Sequence, residues 1–321
     1  MSITLRATAA AAVLVCLPMT VLAQSTVTLY GRLNTTLESQ KSGGQRQTVV
    51  SDNASRFGFT GSEDLGGGLK ATFRLESGFR SDTGQTYDFE GTRKLFGREA
   101  TVGLSGGFGT VRLGQQAYLP AYLATADYVS MHNHDTGSSS DALFGGFLLP
   151  ARQSNSFSYI TPSFSGLTVE VARSLKEGVA GLPSSTDVAA NYDAGPLHLG
   201  AGYEKIGDDK LLALRALYEF GALTVGGYLE RDDFVIRGKR NNVRVSAMYT
   251  VGASEFHANV GSAGKFSNVA DSKAQQYTLG YNYNLSKRTK VYGYFTRLND
   301  NAGKVYGGDF NSTAVGVRHN F

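Results

Sequence analysis

Leu69-Lys70-Ala71-Thr72-Phe73-Arg74-Leu75-Glu76-Ser77-Gly78-Phe79-Arg80 alternates apolar and charged residues with a period of two. In an extended chain successive side chains point to opposite faces, so Leu69, Ala71, Phe73, Leu75 and Phe79 share one side. Lys70, Thr72, Arg74, Glu76 and Arg80 share the other. Thr26 to Glu38 repeats the pattern, with Val27, Leu29, Gly31, Leu33 and Leu37 set against Thr28, Tyr30, Arg32, Asn34, Thr36 and Glu38. Comparable segments recur at 55–63, 95–105, 109–116, 154–162, 167–174, 187–194, 197–204, 211–220, 223–231, 241–250, 255–262, 274–285, 289–298 and 312–321. With the first two they make sixteen. Their lengths lie near the roughly 9–11 residues that a tilted strand needs to cross a bilayer.

The connectors alternate as well. Asp64-Leu65-Gly66-Gly67-Gly68, Gly106-Gly107-Phe108, Gly221-Ala222 and Leu285-Ser286-Lys287-Arg288 suit tight hairpins. The stretches 39–54, 81–94, 117–153, 175–186, 232–240, 263–273 and 299–311 are longer and rich in Ser, Gly, Asn and Asp. Short turns at one end and long loops at the other are the asymmetry of an outer-membrane barrel. In lipid every backbone N–H and C=O needs an internal partner, so a spanning sheet must close on itself. The charged face then decides which way round the wall is. A small barrel could not bury Arg32, Lys70, Arg74, Glu76 and Arg112, whereas sixteen strands enclose water that solvates them. The fold class is therefore all-β: a 16-stranded antiparallel transmembrane β-barrel over 24–321, with no linker inside it. Tyr and Phe near strand ends (Tyr30, Phe79, Phe96, Tyr192, Tyr203, Phe220, Tyr228, Phe256, Tyr283, Phe321) are expected to form aromatic girdles.

Composition agrees. The chain has 321 residues, 40 Gly, 6 Pro, one Cys, no Trp and a net charge of +4. Gly without a three-residue period excludes collagen, and the aromatic content of 11% excludes disorder. Residues 1–23 read as an export signal: Arg6, then the apolar run Ala7 to Leu22, then a small-residue site at Val21-Leu22-Ala23. The run is short for a membrane anchor, and Val15 before Cys16 argues against a lipoprotein site. Cleavage after Ala23 removes the only cysteine and leaves 30 basic against 27 acidic residues, a balance that does not suggest nucleic acid.

Several motifs carry a family resemblance. Ser55-Arg56-Phe57-Gly58-Phe59-Thr60-Gly61-Ser62-Glu63-Asp64-Leu65-Gly66-Gly67-Gly68-Leu69-Lys70-Ala71 resembles the second hairpin of the trimeric general porins of Gram-negative bacteria, in the betaproteobacterial subgroup. Phe108-Gly109-Thr110-Val111-Arg112-Leu113-Gly114 resembles their fifth strand, and Arg152 with Asn155-Ser156, Tyr159 and Pro162 the strand after the constriction loop. Tyr281-Asn282-Tyr283-Asn284-Leu285-Ser286-Lys287-Arg288-Thr289 and Gly316-Val317-Arg318-His319-Asn320-Phe321 match the last hairpin and the closing strand. The resemblance spans the mature chain. It implies a homotrimer of water-filled pores for ions and small hydrophilic solutes, with no cofactor, and makes 117–153 the inward-folded constriction loop. It also implies that Ser81 to Lys94 latches a neighbouring subunit, and that Phe321 is the signal read by barrel assembly machinery. Gly114-Gln115-Gln116 stands where the family often has Gly-Arg-Gln, so one basic residue is missing before the loop.

Parity and strand count put Arg32, Arg74 and Arg112 on the lumen face of strands one, three and five, with Arg56 higher on strand two. Asp127, Asp135 and Asp141 in the loop are the acidic counterpart. A basic wall opposite an acidic loop sets up a transverse field, and four arginines against three aspartates lean towards anions. His132 and His134 beside Asp135 are read as exposed rather than as metal ligands. A solute-specific channel for an organic acid, phosphate or sugar is the alternative; an outer-membrane hydrolase is a distant third. The five histidines (132, 134, 198, 257 and 319) are scattered and form no metal motif. Outer-membrane lipid and lipopolysaccharide are the expected surroundings.

Overall fold

The computed structural model describes residues 26–89, 92–116, 120, 152–176, 183–300 and 303–321. Sixteen spanning strands occur among them. They are β1 (Thr26–Ser42), β2 (Gln45–Asp52 continued by Arg56–Gly66), β3 (Leu69–Gly78), β4 (Glu99–Gly106), β5 (Gly109–Gln116), β6 (Gln153–Ile160), β7 (Leu167–Ser174) and β8 (Ser185–Ala194). The second half comprises β9 (Leu197–Ile206), β10 (Asp209–Phe220), β11 (Leu223–Phe234), β12 (Gly238–Val251), β13 (Ser254–Ala263), β14 (Ala274–Asn284), β15 (Thr289–Asn299) and β16 (Phe310–Asn320). Each pairs antiparallel with its chain neighbours, and β16 pairs with β1 from Arg32↔Asn320 to Ser42↔Phe310. That last ladder closes the barrel and leaves the sheet no free edge.

The burial pattern is the reverse of a soluble core. Outward residues such as Val27 (66% exposed), Val260 (62%) and Leu279 (59%) are apolar, whereas the fully buried side chains are mostly polar or charged, among them Glu38, Glu204 and Arg244. The lipid takes the place of a core, and the lumen takes the charges. Exposed aromatics cluster beside the short turns: Phe108, Phe164, Phe220, Tyr249, Phe256, Tyr283 and Phe321. Tyr228 is buried and Tyr30 bonds to inner-face side chains, so these two belong to the lumen and not to a girdle.

The strands run further at the long-loop end than alternation suggests. Residues 39–54 are no loop: Thr35 to Ser42 pairs with Asp52 to Gln45, turning at Gly43 and Gly44, whose φ values of 57° and 82° a side chain would resist. Likewise β11 and β12 extend to Phe234 and from Gly238. β2 breaks at Asn53–Ser55, where the Ser55 hydroxyl accepts from Asn34 N–H (3.0 Å) and Asn34 Nδ2 donates to the Asn53 carbonyl (2.9 Å). Asp52, at that break, accepts from the Ser81 hydroxyl (2.8 Å) and from Tyr87, so this part of the connector 81–94 folds onto its own barrel. Burial, reinforced by Asp52, holds the Tyr87 hydroxyl well above its usual range and keeps it a donor. A second clasp joins the β11–β12 hairpin to two loops. Arg240 pairs with Asp232 (2.6 Å), donates to the Tyr306 hydroxyl (2.7 Å) and lies over the Phe266 ring (4.2 Å). Burial pushes the Tyr306 hydroxyl up to about 12.

Candidate functional site

The inner wall from β15 round to β7 is basic but interlaced with carboxylates. Arg32 and Arg56 are direct cross-strand partners rather than one above the other. Arg32 donates through Nε to Asn320 Oδ1 (3.1 Å), a contact across 288 residues that exists only because the barrel closes. Arg74, whose side chain is 47% exposed, reaches the Tyr30 hydroxyl (2.8 Å), Glu76 (3.2 Å) and Glu99 (3.1 Å). Tyr30 in turn donates to Glu76 (2.9 Å). Arg98, buried, meets Glu76 at 2.6 Å, and Arg56 acts on the same carboxylate electrostatically. Arg112 pairs with Glu170, approaches Glu99 at 4.0 Å and donates to Ser158 (3.2 Å) and Gln116 (3.3 Å).

Register explains the interlacing. Glu76 and Glu99 are cross-strand partners, an unfavourable like-charge pair unless cations intervene. Arg74, Arg98 and Arg112 supply them. Ion pairs of half-exposed groups such as Arg74 contribute about 0–1 kcal/mol, so the network's effect there is to fix guanidinium positions. The buried Arg98–Glu76 pair is another matter, because losing either partner strands a charge.

Closure extends this wall beyond the arginines expected from strands one to five. Lys290 and Arg318 are cross-strand partners on β15 and β16, and Lys290 lies within electrostatic reach of both Arg318 and Arg32. Glu255, held by Asn282 (2.9 Å) and Asn284 (2.6 Å), meets Lys290 at 3.4 Å. Arg98, Lys290, Arg318, Glu99 and Glu170 were all missed by motif reading; parity alone would have put Glu170, Lys290 and Arg318 on the inner face.

In a closed ring of sixteen, strands eight apart face each other, so β1–β3 look across at β9–β11. That far side carries Asp187 on β8, Glu204 on β9, and Glu230 and Asp232 on β11, with Arg215 on β10 and Arg240 and Arg244 on β12, all buried. Glu230 accepts from Tyr228 and Asn242, and Asp232 Oδ2 from Arg240 and Asn242. Asp187 and Glu204 are direct cross-strand partners, and Glu204 Oε1 lacks a hydrogen bond among the described residues. Asp127, Asp135, Asp141, His132 and His134 lie outside the described residues.

The model of the Gram-negative porin family matches residues 7–303. The chain belongs to the Gram-negative porin family. Outer membrane porin protein 32 of Delftia acidovorans is 32% identical, over 94% of this chain and 95% of that relative. Among solved structures, an anion-selective porin from Comamonas acidovorans is 28% identical with a TM-score of 0.73, covering 93% of this chain and all of the other. The trimer form of OmpT, an outer-membrane protein of Vibrio cholerae, shares the fold at TM-score 0.71 and 17% identity, covering 92% and 99%. This porin is thus an outer-membrane β-barrel channel, and its relatives are channels rather than enzymes. Gly103-Leu104-Ser105-Gly106-Gly107 has the spelling of a hydrolase nucleophile elbow. In the porin it runs from a strand into a hairpin, with the Ser105 hydroxyl 2.9 Å from that of Thr110, and forms no strand-to-helix turn.

Phe321 ends the porin's closing ladder. Its N–H and C=O both bond to Gly31 at 3.0 Å. A Cβ on Gly31 would lie 2.2 Å from the Phe321 ring, so the ring packs where only glycine leaves room.

Proposed function

We propose that this porin is a general diffusion channel with a weak preference for anions and no catalytic activity. The observation that carries the reading is the charge balance of the near wall. Arg32, Arg56, Arg74, Arg98, Arg112, Lys290 and Arg318 outnumber Glu38, Glu76, Glu99, Glu170 and Glu255, while on the far wall Asp187, Glu204, Glu230 and Asp232 stand among Arg215, Arg240 and Arg244. Such a wall raises the local concentration of anions and orients dipolar solutes across the lumen. Arg32, Arg56, Arg74 and Arg112 form the basic side of the constriction, and Asp127, Asp135 and Asp141 on loop 117–153 its acidic side. The relative named for anion selectivity supports the sign. A sugar-specific channel is disfavoured, because inner tyrosines Tyr30, Tyr228, Tyr292 and Tyr294 spend their hydroxyls on Glu76, Glu230, Asn34 and Glu38 rather than forming a free ladder.

The working unit is a homotrimer, as the trimer form among its structural likenesses supports. Residues 1–23 direct export and are cleaved after Ala23; 24–321 form the barrel; Phe321 is read by the assembly machinery; and the outer surface sits in lipid and lipopolysaccharide. Planar-bilayer conductance of the refolded mature chain tests the reading. Non-saturating conductance in steps of three, with a reversal potential displaced towards the anion side in a salt gradient, is expected. Saturation or block by one organic acid, phosphate or sugar would replace it with a specific channel.

A further inference from the structure

The short turns mark the periplasmic mouth, and its charges are gathered into two sectors. Neither Gly106-Gly107-Phe108 between β4 and β5 nor 161–166 between β6 and β7 carries a charge. Asp64 and Lys70, either side of the β2–β3 turn, are cross-strand partners of opposite sign. The turns after β8 and β10 are bordered by Asp193, His198 and Glu219, all of inward parity. The β14–β15 turn supplies Lys287 and Arg288, with Lys290 just inside it and Arg318 as the cross-strand partner of Lys290 on β16. Glu255 is the acid beside this basic sector. Asn282 (2.9 Å) and Asn284 (2.6 Å) hold its carboxylate more closely than Lys290 does at 3.4 Å.

The two sectors oppose each other. Strands eight apart face across the ring, so Arg318 on β16 looks towards Asp193 on β8 at the same end of the barrel. Lys290 and Glu219 flank that axis. His198 ties the acidic sector together over three adjacent strands, with Nδ1 2.7 Å from Asp193 Oδ1 and Nε2 3.4 Å from Glu219 Oε1. Arg215, one inner row further from the mouth, bonds Asn191 (3.2 Å) and the Leu199 carbonyl (3.4 Å). The carboxyl groups of Asp193 and Glu219 are exposed, as are Lys287 and Arg288. Charges that stand in water act over about a Debye length, roughly 10 Å at 0.1 M salt. Each sector therefore governs the ions that pass along its own side.

We propose that the periplasmic mouth is a second selectivity station, in series with the constriction. Small anions pass along the β14–β16 side, drawn by Lys287, Arg288, Lys290 and Arg318. Small cations pass along the β8–β10 side, drawn by Asp193 and Glu219. A solute that carries both charges turns its anionic end towards Lys290. This rests on the diffusion-channel reading but uses none of the arginines assigned to the constriction.

Reversal potentials of the refolded mature porin in planar bilayers, in a salt gradient around ~0.1 M, test the station. The variant D193N/E219Q removes the acidic sector and is expected to raise the anion-to-cation permeability ratio at least about 1.5-fold. K287Q/R288Q/K290Q thins the basic sector and is expected to lower it by at least as much. The control K205Q/K239Q removes outward cations at the opposite end and is expected to change the ratio by less than about 1.2-fold. Around 1 M salt both shifts are expected to fade. An unchanged ratio in either mouth variant, or shifts of the same sign in both, would overturn the station. So would shifts that persist at 1 M salt, since they would report a changed pore shape. A wild type without anion preference, with the opposite shifts intact, would instead refute the constriction reading and leave the mouth station standing.

Discussion

Two pairs of carboxylates face each other across neighbouring strands of this barrel, and the protein treats them in opposite ways. Glu76 and Glu99, on β3 and β4, are separated by the guanidinium groups of Arg74, Arg98 and Arg112, and Glu76 also accepts from Tyr30. Asp187 and Glu204, on β8 and β9, are at least as deeply buried but make no ion pair among the described residues. The first pair is a scaffold that holds cations at fixed places on a water-lined wall. The second is a pair of buried carboxyl groups packed against each other on the facing wall. A transverse field across the lumen needs its cations held in position, and the first arrangement does that.

The largest expected effect comes from breaking the compensated pair. Glu76→Gln removes the carboxylate that meets the buried Arg98 at 2.6 Å and also pairs with Arg74, and should cost about 3 kcal/mol of stability. The unfolding midpoint of the refolded barrel in guanidinium reads it, and an unchanged midpoint would mean that water in the lumen satisfies Arg98. Next is Arg74→Glu, which inverts the most exposed charge of the network. The anion-to-cation permeability ratio, taken from reversal potentials, should fall by at least about threefold. No shift would remove Arg74 from the conducting path. Glu204→Gln acts on the uncompensated pair with the opposite sign to Glu76→Gln. Relieving a buried like-charge contact should raise stability by about 1 kcal/mol, and a loss would reveal that Glu204 is held by a partner. The smallest effect concerns salt. With a Debye length of about 10 Å at 0.1 M and 3 Å at 1 M, anion preference should shrink as ionic strength rises. Selectivity independent of salt would point to a steric filter.

Much of this was legible in the chain. All sixteen strands were found by alternation, and so were the short turns and the inward parity of Arg32, Arg74 and Arg112. The misreadings share a cause. Residues 39–54 looked like a loop because above the membrane no lipid selects an apolar face, so the period-two signal fades although the ladder to Gln45–Asp52 continues. Lys290 and Arg318 join the basic wall only through closure of the ring. Nothing local says that residue 318 ends opposite Asn34.

Alternation and turn length by themselves determined that the chain is a closed, lipid-facing barrel with a polar interior. The reason is that the bilayer acts on each strand separately, imposing its demand on every second side chain. Which charges meet across the lumen and along its wall was decided only in three dimensions. Those meetings depend on the stagger accumulated around the whole sheet, a property of the ring that no single strand carries.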